Sequence, residues 1–149
     1  MKMSLVRHSV WMLLVASVCT SLPHSVIRQA SSNLIGKWKV VSFQGEEGKT
    51  PGNIEFFKDG RVLISEEGSE SKEGVYTTDE RKSPSIIILK MHVMEGEKQT
   101  KTTVTCPGIY KIEGGRLILK AVNADGVEPP KDFKVEPNGY AHLELVRDN

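Results

Sequence analysis

From Leu34 to Arg147 apolar and polar residues trade places every second position over short runs, with turn formers between the runs. A period of two marks strands with one buried face. In Gly36-Lys37-Trp38-Lys39-Val40-Val41-Ser42-Phe43, one face carries Trp38, Val40 and Ser42, and the other carries Lys37, Lys39, Val41 and Phe43. Ile54–Phe57 and Arg61–Ser65 follow, joined by Lys58-Asp59-Gly60. Asp-Gly between apolar runs is a hairpin signal, because glycine accepts positive φ without steric cost. Gly74–Thr78 comes next, then Ser85–Met91, the most apolar run of this part and β-branched enough to favour a strand. Thr102–Cys106 reads as extended, with Pro107-Gly108 interrupting it before Ile109–Ile112 resumes. Gly114-Gly115 turns that run into Arg116–Lys120. Asp132–Val135 reads as a short extended piece, and Tyr140–Arg147 is the final run.

The pattern predicts an all-β fold of about eight strands, with no helical spacing beyond the first thirty residues. An antiparallel meander of that number closes into a small barrel, and closure removes the exposed strand edges. The parity then points Val40, Phe56, Ile64, Ile88, Tyr110, Leu119, Leu143 and Leu145 inward. Phe56, Tyr76, Tyr110 and Leu119 are the expected cavity lining, since ligand sites are mostly apolar with a few polar groups. The same residues would equally fill the barrel as core, and both readings stand at this point. The segments 44–52, 66–73 and 121–131 are polar and rich in chain breakers, as connecting loops are. Residues 93–100 read as a loop or a ragged hairpin. Gly74-Val75-Tyr76 and Gly108-Ile109-Tyr110 echo each other weakly.

The first thirty residues have another character. Lys2, Arg7 and His8 precede an apolar run, Trp11 to Cys19, and small residues follow. That is the layout of a secretory signal peptide. The run falls short of the roughly 20 apolar residues needed to span a bilayer; an uncleaved N-terminal anchor is the other reading. The expected division is residues 1–30 for signal peptide and linker, with cleavage within 19–30, and residues 31–149 for the barrel. Lipidation at Cys19 is disfavoured by Val18, which stands where a small residue is wanted. The expected location is outside the cytoplasm: periplasm, cell envelope or medium. Membrane contact is expected only if the N-terminal segment is retained.

Charge narrows the partners. The chain has 20 Lys and Arg against 19 Asp and Glu. Lys2, Arg7 and Arg28 lie in the first thirty residues, which hold no acid, so the remainder carries 17 against 19, a formal −2. A nucleic-acid binder would show a basic stripe, and none is present. Cys106 is the one cysteine beyond Cys19, so the barrel has no internal disulfide and Cys106 reads as a small buried hydrophobe.

Gly36-x-Trp38 on the first strand, with Arg147 ending the last, resembles the lipocalin pattern. The resemblance implies a tryptophan closing the barrel floor with an arginine stacked over it, a cation–π pair of about 0.5–2 kcal/mol. Gly36, Trp38 and Arg147 are accordingly expected to be structural. A fuller set of segments lies in the same order as in the exported lipocalin-like domains common in planctomycete bacteria: Leu34 to Ser42, Gly74-Val75-Tyr76 with Asp79, Ser83-Pro84 before an isoleucine strand, Gly108 to Leu117, Pro130-x-x-Phe133 and Leu143-x-Leu145-Val146-Arg147. This chain is similar to that family over nearly all of residues 31–149. It departs where the family often places an arginine before the proline of Pro-x-x-Phe; here that residue is Pro129. The resemblance implies fold and export and transfers no catalytic residue.

No chemistry-bearing constellation emerges. His92 and His142 are far apart, with no metal-ligand spacing. There is no nucleophile elbow, and Glu46-Glu47 and Glu66-Glu67 lie in loops. No residue set fills the roles of nucleophile, base and stabiliser. The reading is therefore a non-catalytic exported lipocalin-like protein without cofactor or metal, binding a small apolar ligand. The alternative is an envelope structural or interaction module with a filled barrel and a protein partner.

Overall fold

The computed structural model describes residues 31–48, 52–96, 98–136 and 139–149. The expected signal peptide and Cys19 lie outside the described residues. Nine strands run in chain order: β1 (Gly36–Phe43), β2 (Glu46–Glu47), β3 (Gly52–Phe56), β4 (Arg61–Glu66), β5 (Lys72–Asp79), β6 (Ser85–Glu95), β7 (Lys98–Glu113), β8 (Arg116–Val122) and β9 (Tyr140–Arg147). Every pairing is antiparallel between neighbours in the meander, and β9 returns to β1. Strand β2 is a two-residue appendage on the end of β1. The other eight strands close a small lipocalin-like barrel, and the described residues contain no helix.

The alternation read in the sequence sorts side chains onto the two faces. Trp38, Ile54, Phe56, Val62, Tyr76, Ile87, Leu89, Met91, Cys106, Tyr110, Leu117, Leu119 and Leu145 form one buried cluster inside the barrel, with Val40, Ile64, Val104 and Leu143 packed against it. Lys39, Arg61, Glu73 and Lys90 alternate with them and are exposed. Apolar inside and charged outside is the inverse of a barrel that crosses a membrane.

Four details depart from the sequence reading. Ile88 does not point inward: Ile87 and Leu89 are buried in the core, and Ile88 stands half-buried on the outer face, opposite Thr77 and Pro107. Ser42 leaves the face of Trp38 and Val40. The β1–β9 register shifts between Val40 and Ser42, so Ser42 opposes Glu144 and Phe43 opposes Leu143; an extra residue in one strand reverses parity beyond it. Pro107 does not interrupt its strand, and β7 runs unbroken for 16 residues. A proline cannot donate to a neighbouring strand, and the β8 ladder ends at Gly108–Ala121, so beyond it the missing N–H has no strand to serve. Finally, residues 132–135 form no strand; the Asp132 carboxylate accepts the Lys134 N–H at 3.0 Å and turns the chain locally.

The closed end of the barrel is built on Trp38, which is 1% exposed. Its indole N–H donates to the Leu34 carbonyl at 2.8 Å. The Arg147 guanidinium lies over the ring and donates to the carbonyls of Ile35 and Asn33, both at 2.5 Å. Gly36 makes room for it. Its φ is +122°, and a β-carbon there would collide with the guanidinium. The Gly-aliphatic-Tyr echo also has a packing cause. A β-carbon on Gly74 would run into the Lys90 carbonyl, and one on Gly108 would lie 2.7 Å from the Lys120 carbonyl. In each case the tyrosine two residues on, Tyr76 or Tyr110, enters the core.

Candidate functional site

The strand directions put the turns at 57–60, 80–84 and 114–115 at the Trp38 end, and the points where the chain leaves β1 at Gln44, β4 at Glu67 and β8 at Asn123 at the other. That other end is the mouth. Strands β6 and β7 overreach it: β5 pairs no farther than Met91, whereas β6 and β7 pair on to Glu95–Lys98. The sequence left residues 93–100 open between loop and ragged hairpin, and 93–96 and 98–100 belong to the end of this ribbon.

An open recess of about 480 Å³ lies in the mouth, lined by Ile64, Lys72, Met91, His92, Val93, Val104, Cys106 and Asn123. Its walls are the last inward-facing residues of β4, β6 and β7. Its rim is polar and already engaged. Lys72 pairs with Glu66 at 3.0 Å. His92 donates from Nδ1 to the Thr100 carbonyl at 3.0 Å, and the Thr100 hydroxyl donates to the Val93 carbonyl at 2.9 Å. The Gln99 side-chain oxygen accepts the Glu73 N–H at 3.3 Å and ties the ribbon to β5. Beyond the end of β8, the Asp125 carboxylate accepts the Thr105 N–H at 2.8 Å, which holds the Asp125 pKa below the ordinary carboxylate value.

Cys106 belongs to this recess. Its thiol donates to the Asn123 side-chain oxygen at 3.5 Å. Burial, then the nearby Asp125 charge, push its pKa up, so the thiol stays protonated near neutrality. A protonated, half-screened thiol is a wall residue and not a nucleophile.

The residues expected to line a cavity sit one layer below the recess. The rings of Phe56 and Tyr76 meet edge to face, 5.0 Å between centroids, and the Tyr76 hydroxyl donates to the Phe57 carbonyl at 2.9 Å. Tyr110 and Leu119 are cross-strand partners. The Tyr110 hydroxyl donates to Glu80 at 3.0 Å, and burial first, then this bond, raise its pKa to about 12. All four are buried, in two contacting pairs. None of them borders the mouth recess; Tyr110 backs a separate pocket outside the barrel. The residues that do border it were legible in part, because Leu89, Met91 and Val93 alternate with Lys90 and His92, as Val104 and Cys106 do with threonines.

A second polar grouping lies on the outer face, under residues 123–136. Lys120 is only 2% exposed, with Glu136 at 3.4 Å, Asp132 at 3.8 Å and the Tyr140 ring centroid at 4.8 Å. Its cross-strand partner is His142, buried, with Nδ1 unpaired among the described residues. Burial first, then Lys120, lower the His142 pKa, and Glu144 opposes them. Among the described residues, no three His, Cys, Asp or Glu side chains are placed to hold a metal.

Comparison of the chain with family models, with curated proteins and with solved structures gave no match. The fold assignment rests on strand order, register and closure alone.

Proposed function

We propose that this chain is an exported, non-catalytic lipocalin-like protein that holds a small apolar ligand in the barrel mouth. The carrying observation is the recess of about 480 Å³ walled by Ile64, Met91, Val93 and Val104. Its size lies within the range of small-molecule sites, and an apolar wall with a few polar groups at the rim is their usual composition. The ordered set of segments from Leu34 to Arg147 supports kinship with the exported lipocalin-like domains of planctomycete bacteria, and the charged-then-apolar start of the chain supports export. The test is a titration with an apolar fluorescent probe, repeated on Val104→Trp, which fills the recess. Saturable binding that Val104→Trp weakens by at least about tenfold supports the site, since tenfold is only about 1.4 kcal/mol. Equal binding by both proteins contradicts it.

One observation favours a second reading, an envelope interaction module. The lower barrel is filled by Phe56, Tyr76, Tyr110 and Leu119, and the β6–β7 ribbon projects past the sheet with edges that, among the described residues, pair with no further strand and that a partner could meet. Capture of one envelope protein through the ribbon, together with no probe binding, would favour this reading over the first.

A further inference from the structure

Three stretches far apart in sequence converge outside the barrel near its closed end. They are Lys82 to Pro84 in the β5–β6 turn with Ser85 opening β6, Tyr110-Lys111 on β7, and Lys131-Asp132-Phe133 in the segment after β8, and together they line a pocket of about 490 Å³. Two of them carry motifs, Ser83-Pro84 and Pro130-x-x-Phe133, that neither the core nor the mouth explains.

The pocket has a distinct charge. Lys82, Lys111 and Lys131 line it, against a single acid, Asp132. That acid is turned elsewhere: its oxygens lie 3.8 Å from Lys120 on one side and 3.8 Å from Lys134 on the other. Lys111 pairs with Glu113 at 2.7 Å and rests 5.4 Å from the centroid of the Phe133 ring. Among the described residues, Lys82 and Lys131 have no ion-pair partner. A cleft lined by one sign of charge attracts the opposite charge, here on a domain that is itself net negative. The remaining lining is apolar and flat: the Phe133 ring, Pro84 and the edge of Tyr110, with the hydroxyls of Ser83 and Ser85 beside them.

We propose that this pocket binds a small ligand made of a flat aromatic ring bearing an anionic group, a carboxylate, sulfate or phosphate. The ring lies against Phe133 and Pro84, and the anion is taken by Lys82 and Lys131. The site is independent of the mouth, sharing no residue with it.

The test uses 2-naphthoate as probe and its neutral alcohol as control, with backbone NMR shifts mapping the contact on the purified protein. Naphthoate is expected to shift residues 82–85, 110–111 and 131–133, and the alcohol to bind more weakly. The double variant Lys82→Gln, Lys131→Gln changes two exposed side chains. It should weaken naphthoate binding about tenfold, as expected for charge-assisted contacts at a partly solvated site, and leave the alcohol unchanged. Val104→Trp, which blocks the mouth, should leave naphthoate affinity as it was. Shifts confined to Ile64, Met91 and Val104, equal affinity in the double-lysine variant, or no shift anywhere would each overturn the proposal.

Discussion

The guanidinium carbon of Arg147 lies 4.0 Å from the centroid of the Trp38 ring, and the two residues are direct partners in the β1–β9 ladder. The contact that closes the barrel floor is thus also the contact that closes the sheet. Gly36 completes it, because only a residue without a β-carbon leaves the guanidinium its place.

Replacing Trp38 by alanine should cost about 3–5 kcal/mol, the range for removing a large buried aromatic. Chemical denaturation measures this directly. A loss below about 1 kcal/mol, typical of surface substitutions, would mean Trp38 does not plug the floor.

Gly36→Ala should destabilise by about 1–3 kcal/mol, through positive φ and the clash with Arg147. Arg147→Ala removes the clash, so in a double-mutant cycle the two losses should fall short of additive by at least about 0.5 kcal/mol. Strict additivity would show that the two residues do not meet.

His142 makes stability sensitive to mild acid. Its pKa in the fold is lowered, by burial first and by Lys120 second, from the ordinary value of 6.5. The unfolded chain therefore binds the proton more readily than the fold does. Stability should be complete above about pH 6.5 and fall as the pH drops below it. The other charges facing this site are Glu144 on β9 and Asp132 and Glu136 from the covering segment. Urea midpoints measured from about pH 7.5 down to about pH 5 should fall for the wild type, and the slope should flatten in His142→Gln. Identical slopes in the two proteins would remove His142 from the account.

Tyr110 gives the opposite sign at alkaline pH. Its pKa is held at about 12, above the ordinary 10.0, so the unfolded chain loses this proton first. Stability should fall as pH rises from about 10 toward about 12. Burial raises the Tyr76 pKa as well, so tyrosinate absorbance should show both Tyr76 and Tyr110 resisting titration in the folded protein, and the Tyr110 share should vanish in Tyr110→Phe.

The sequence announced the strands more faithfully than their faces. β1 and β9 were readable to the residue, because Trp38-x-Val40 and Leu143-x-Leu145 alternate cleanly with charge. The run Ile86-Ile87-Ile88-Leu89 offers no alternation, so nothing local says which isoleucine faces in; the register with β7 decides it. The shift after Val40 is likewise tertiary, visible only once Phe43 meets Leu143. Lys120 reads as a solvated charge until the segment at 127–136 folds across it. The mouth recess was not among the residues named from the sequence, for a related reason. The expected lining was Phe56, Tyr76, Tyr110 and Leu119, which here fill the lower barrel, whereas the recess is walled by Met91, Val93 and Val104, at the level where the β5 pairing ends and above it.

Occupancy of the mouth should also be readable at Cys106, whose thiol borders the recess. A thiol reagent at about pH 8 should label it at least about tenfold more slowly than a free thiol, because burial keeps it protonated. An apolar probe bound in the mouth should slow labelling further. Labelling indifferent to the probe would place the probe elsewhere.

The most direct test of the central claim is native mass spectrometry of the protein purified from its own host, compared with its denatured mass. The account predicts an excess native mass from one small apolar molecule, lost on denaturation and displaced by the fluorescent probe. A native mass equal to the denatured mass, with no probe binding by the same sample, would contradict a ligand-holding mouth.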